Sequence, residues 1–372
     1  MPDLHVTATN QAYLSWIEFV NDSTDVLAFA TLDKEEWSAP KIIAQGSDWF
    51  VNWADFPSLT TFDGSSSNIA AHWLQKSAAG TYDYDIKISL SNDGGQDWRA
   101  PFIPHTDGIA AEHGFVSMQP VGSKVFVSWL DGRYTKTENN SDGHDHEGQG
   151  GAMTLRGAFF DENGQLSGDI ELDDKVCDCC ATSAALTKNG IIVAYRDRLA
   201  GEIRDISIVR QIDRDWTRPR RLSTDNWEIA GCPVNGPKIA TDEDQIVGVA
   251  WFTMAQDTPK VNVAISSDAG ANFGPPIRID NGNPIGRVDL IEHEKTLYAT
   301  WLEKIKEEEA TINLVKISLQ GTDLKKLKIA TTSSARSSGF PVLERWGNRW
   351  LVAWTEIIGA KETTIKTALV DF

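Results

Sequence analysis

Seven segments of this chain end in an aromatic residue after small or β-branched ones, and their spacing constrains the fold more than any other feature. They are AYLSW ending at Trp16, NIAAHW at Trp73, KVFVSW at Trp129, IIVAY at Tyr195, QIVGVAW at Trp251, TLYATW at Trp301 and RWLVAW at Trp354. The aromatic ends lie 57, 56, 66, 56, 50 and 53 residues apart. Intervals of that size suit a unit of four short antiparallel strands, repeated as the blades of a propeller. Each unit reads alike: an inner strand, a turn, the aromatic-ended strand, a loop, an alternating third strand such as DIKISLS or KVNVAIS, a tight turn and an outer strand. Helical periodicity is nowhere sustained. The pattern predicts an all-β, seven-bladed β-propeller formed by residues 1–372 as a single domain, with six blades as the alternative count. The longest interval holds an inserted loop at residues 138–151. The seventh unit ends after TTIKTALVDF, which leaves its fourth strand missing or supplied by residues ahead of Met1.

The tight turn is clearest at Ser91-Asn92-Asp93-Gly94-Gly95-Gln96-Asp97-Trp98 and recurs without a gap at Ser266-x-Asp268-x-Gly270-x-x-Phe273. Ser and Asp side chains can hydrogen-bond local backbone, Gly tolerates positive φ, and the aromatic folds back over the turn. This spacing resembles the Asp box of bacterial BNR-repeat, sialidase-like proteins, with worn versions at Asp33 before Trp37, Asp161 before Gly164 and Asp213 before Trp216. The resemblance implies a propeller, and it implies export to the periplasm or the medium. The box is a structural turn shared by hydrolases and non-enzymes, so it says little about chemistry. Sialidases of that family have six blades, and the count of seven departs from them.

Charge removes several partner classes. The 35 basic residues face 53 acidic ones, a net charge of −18, which opposes nonspecific binding to nucleic acid or to anionic membrane. No apolar run approaches the roughly 20 residues of a membrane span, and the first residues hold no apolar secretory core. The chain is therefore either cytosolic or the mature part of an exported protein. Partners are expected among small molecules, metal ions and glycans.

In a four-stranded meander the loops leading into inner strands share one face with those joining second and third strands. The first set carries Trp49 to Asp55, including Trp53, then Glu112-His113-Gly114, Cys177-Asp178-Cys179-Cys180, Gly231-Cys232-Pro233, Arg287 and Arg336. The second set carries Asp131 and Arg133, then Arg196-Asp197-Arg198, Met254, Glu303 and Glu356.

All four cysteines thus fall on two consecutive blades. Three chemistries compete for them: two disulfides, a thiolate site for a soft metal completed by His113, and inert buried thiols. Copper is the preferred ion and zinc the second, with Met254 better suited to copper. Arg133, Arg196, Arg198, Arg287 and Arg336 support a rival reading, because guanidinium forks bind carboxylates bidentately. The resemblance implies three arginines on a sugar carboxylate, an acid/base Asp and a Tyr-Glu nucleophile. Asp131 and Asp197 are the candidate acids, although an adjacent Arg would lower their pKa. The chain lacks the family's Arg-Ile-Pro segment, and no Tyr-Glu pair is assignable. Trp49, Trp53 and Trp227 are candidate sugar platforms. A third reading is a disulfide-pinned propeller that binds glycan or protein without chemistry. His144-Asp145-His146-Glu147 in the insertion reads as a solvated loop or an adventitious metal binder.

Overall fold

A computed structural model describes residues 1–21, 23–62, 65–136, 151–359 and 362–372. The inserted stretch with His144 to Glu147 lies outside them. The fold is a seven-bladed β-propeller of antiparallel blades, and the described residues form seven separate sheets and no α-helix. None of their helices is long and apolar enough to cross a membrane.

The chain packs as two compact units, Met1–Lys175 and Val176–Phe372. The first holds three sheets. Their inner strands are Asp3–Val6, Leu59–Thr61 and His113–Val121, and their aromatic-ended second strands are Ala12–Asn21, Ile69–Lys76 and Lys124–Asp131. The second holds four sheets, with inner strands Ser183–Thr187, Lys238–Thr241, Pro284–His293 and Val342–Trp346. The last sheet pairs only Val342–Trp346, Arg349–Ile357 and Thr363–Val370. Second strands are buried along most of their length, except that Ala12–Asn21 is exposed over its last four residues. Trp129, Trp251 and Trp301 are fully buried.

Four of the indole nitrogens find a partner on their own strand. Trp16 donates to Glu18, Trp129 to Asp131, Trp301 to Glu303 and Trp354 to Glu356, each two residues on and at 2.7–3.0 Å. In a strand, residues i and i+2 share one face, so a carboxylate there meets the indole N–H that burial would otherwise orphan.

The turn after Tyr84–Ser91 closes as its residues require. Ser91 Oγ donates to Asp93 Oδ1 at 2.8 Å, Gly95 N–H donates to Ser91 Oγ at 2.9 Å, and Gln96 N–H donates to Asp93 Oδ1 at 2.9 Å. The turn at Ser266, Asp268 and Gly270 repeats the first two bonds, and there Asn272 N–H donates to Asp268 Oδ1 at 2.8 Å. Gly95 has φ of 78°, and an added Cβ would meet the Phe29 ring at 2.5 Å. Gly95→Ala is therefore expected to cost about 2 kcal/mol in urea unfolding, from left-handed backbone strain plus overpacking.

Candidate metal centre

The second unit gathers all four cysteines. The segment before Ser183–Thr187 is pinned to the end of Gly190–Arg196 by the Val176↔Asp197 bridge and by Cys177 N–H donating to Arg196 O at 3.1 Å. That fixes Cys177, and the short turn returns Cys179 and Cys180 beside it. Cys177 Sγ lies 3.9 Å from Cys179 Sγ and 3.7 Å from Cys180 Sγ, and the last two are 4.0 Å apart. Cys232, on the loop before Lys238–Thr241, hydrogen-bonds Cys179. All four are free thiols; Cys177 and Cys180 are buried, Cys179 is half-buried and Cys232 is exposed.

The three edges form a nearly equilateral triangle. An ion at its centre would lie about 2.2 Å from each sulfur, close to a zinc–thiolate bond of about 2.3 Å. The same atoms are too far apart for the disulfide distance of about 2.05 Å.

Two buried arginines flank the cluster. Burial alone would push the Cys177 thiol up, but hydrogen bonds from Cys179 and Cys180 and the charges of Arg204 and Arg196 hold it well below its ordinary value. Its hydrogen bond with Cys179 also lowers Cys232, against burial. Cys179 is pushed up by its bonds to Cys177, Cys180 and Cys232, and Cys180 by burial. Two sulfurs are thus disposed to carry charge and two to keep their protons. Arg204 lies beside Cys177 and pairs with Glu202 at 2.7 Å. Arg196 donates to the carbonyls of Asn235, Arg204 and Phe252, and its guanidinium stacks over Trp227 at 4.9 Å.

The other arginines of this unit are also engaged. Arg287 donates to Ala335 O, Ser338 Oγ and Gly339 O, and burial with the charge of Arg336 lowers it to about 10. Arg198 bonds Glu202 at 3.1 Å and lies 3.7 Å from Asp178. Asp197 accepts from Arg198 N–H and from Ser207 Oγ. Trp227 is buried under Arg196, and its ring offers no open platform.

In the first unit, Asp131 closes Lys124–Asp131 directly opposite His113 in the ladder. Arg133 forks it, with Nε on Oδ1 at 2.8 Å and Nη2 on Oδ2 at 2.7 Å. The fork, with His113 and the Trp129 indole, outweighs burial and holds the carboxyl below its usual range, ionised and without a proton to donate at neutral pH. His113 is wholly buried among Asp107, Asp131 and the His105 ring, which stacks on it at 3.8 Å. Glu112 accepts from Tyr84 Oη at 2.9 Å, Trp53 is half-buried, and Trp49 stacks on Trp73 at 5.4 Å inside the core.

Sequence reasoning passed over Arg204, Asn235, Asp107, His105 and the carboxylate-capping role of Asp131. Two of these left a signal. Arg204 alternates with Ile206 and Ile208, which marks it as inward-facing. The Trp-x-Asp/Glu spacing occurs four times among the seven units.

No family model matches the sequence, and no curated protein matches it. Solved structures do match in fold. A Hadza microbial sialidase, Hz136, superposes with a TM-score of 0.53 at 14% identity, covering 93% of this chain and 73% of that one. A leech intramolecular trans-sialidase complexed with 2,7-anhydro-Neu5Ac gives 0.53 at 10% identity, with 97% and 83% covered. The α-L-arabinofuranosidase Arb93A of Fusarium graminearum, in complex with an iminosugar inhibitor, gives 0.52 at 10%, with 99% and 91% covered. What these structures share with the chain is the β-propeller fold, and here the fold carries a four-thiol cluster.

Proposed function

We propose that this propeller binds a soft transition-metal ion on Cys177, Cys179, Cys180 and Cys232, copper(I) first and zinc second. The carrying observation is the triangle of sulfurs with edges of 3.7, 3.9 and 4.0 Å. Thiolates select copper(I) and zinc over harder ions. The positive charges of Arg196 and Arg204 offset the anionic shell, which would otherwise be costly to bury. Three sulfurs are sheltered and the fourth is exposed, an arrangement that suits a site whose ion exchanges. A sialidase-type reaction draws less support, because the donors of Arg196 and Arg287 already serve carbonyls and Asp131 is clamped by Arg133.

The test is elemental analysis with a free-thiol count on natively purified protein. About one equivalent of copper or zinc is expected, falling at least about tenfold in occupancy when Cys179 and Cys232 are both replaced by Ser. Protein with neither metal nor free thiols would overturn the proposal and leave the cysteines as staples, and a glycan-cleavage panel would then test the rival.

A further inference from the structure

His113 has one ring nitrogen whose state the backbone dictates. Its Nδ1 lies 3.3 Å from Tyr84 O and 3.2 Å from Ala111 O, two acceptors, so Nδ1 carries the proton. Nε2 faces Asp107 Oδ2 at 3.3 Å and Asp131 Oδ1 at 3.7 Å. A bare lone pair aimed at two carboxylates is repulsive, so a cation belongs between them. If that cation were a proton on Nε2, charge-assisted contacts of about 2.7–2.9 Å would be expected. Instead both Nε2 and Asp107 Oδ2 are buried with no hydrogen bond of acceptable geometry.

The surrounding charge agrees. Asp85, Asp107 and Asp131 face the two stacked histidines, and Arg133 is the cation that forks Asp131 and reaches Asp107 at 3.2 Å. The nearby Asp169 is answered by Arg156 at 2.7 Å. Among the described residues, three carboxylates stand against one guanidinium, which leaves two negative charges before any cation on or beside the histidines is counted. A histidine that donates one N–H to a backbone carbonyl while its other nitrogen meets carboxylates is the usual frame of an N/O metal ligand.

We propose that His113 Nε2, Asp107 and Asp131 form a second cation site, independent of the cysteines, for a divalent ion of hard or borderline character. Such a ligand set suits manganese, iron(II) or zinc, whereas the thiol cluster suits soft ions. The two sites are therefore separable by probe.

Mn²⁺ is the probe, because it has little affinity for thiolates. Titration of the full chain, followed by electron paramagnetic resonance of the free ion, is expected to show one bound equivalent. Cys177→Ser and Cys232→Ser should leave it unchanged, and His113→Gln and Asp107→Asn should each weaken it at least about tenfold. Asp107→Asn decides alone if His113→Gln does not fold. Absence of a bound equivalent at millimolar Mn²⁺, or binding that both variants leave intact, overturns the site. So does a nitrogen-resolved NMR spectrum in which saturating Zn²⁺ leaves His113 protonated on both nitrogens.

Discussion

Arg196→Met is expected to destabilise the protein by about 4 kcal/mol and to raise the pH at which the thiols of the cluster ionise. The side chain is 1% exposed, and its guanidinium holds three carbonyls that come from widely separated positions, Arg204, Asn235 and Phe252. Methionine keeps the apolar stem but removes every donor, so three buried acceptors lose their partners at about 1–3 kcal/mol each before relaxation. It also removes the stack on Trp227 and one of the two positive charges that hold Cys177 low. Arg196→Lys retains the charge without the fork and should lose roughly half as much stability, because one ammonium cannot serve the same diverging carbonyls. Urea unfolding measures the first effect, and the pH dependence of thiol alkylation measures the second. If Arg196→Met unfolds at the wild-type urea midpoint, the arginine is not the brace the geometry describes.

That brace shows where the sequence stops being legible. The blades were readable because strand alternation and the aromatic second-strand ends are local patterns with fixed periods. The cysteines were readable as neighbours for a related reason: Cys177 to Cys180 and Cys232 precede the inner strands of consecutive blades, and repetition alone brings such loops together. Arg-Asp-Arg at 196–198, by contrast, looks the same whether its guanidiniums face solvent, a substrate or main-chain carbonyls. Its acceptors lie up to 56 positions away, in segments without any pattern of their own. Asp131 was misleading for the opposite reason. A carboxylate beside an Arg suggests acid chemistry, yet its partner is also the Trp129 indole, a contact repeated at Glu18, Glu303 and Glu356. Asp107 and His105 sit on an irregular segment, where neither period two nor a motif marks them.

Stability should fall as pH rises from about 4 to about 7, in a component assignable to Asp55. Burial pushes this carboxyl up to about 7, with only partial relief from Phe115 N–H and Tyr84 Oη. Proton counting explains why it keeps its proton. Tyr84 Oη lies 3.1 Å from Asp55 Oδ2 and 2.9 Å from Glu112 Oε1, but a phenol donates only once. The other contact needs a proton from a carboxyl, and Asp55 is the more buried of the two. In the unfolded chain the group ionises near pH 4, so between about 4 and 7 the native state binds the extra proton. Stability from this group is full below that window and is lost through it, by up to about 4 kcal/mol. His5 and His72 act oppositely, since burial lowers them to about 4 and about 3 and their contribution disappears as pH falls through those values. The whole-protein profile therefore mixes signs, and the informative quantity is the difference between wild type and Asp55→Asn. Asparagine has the shape of the protonated acid, accepting from Phe115 N–H and donating from its amide. The variant should match wild type near pH 4 and exceed it by up to about 4 kcal/mol above pH 7. Urea unfolding at several pH values measures that difference, and a constant offset across the range would mean that Asp55 is already ionised in the folded protein.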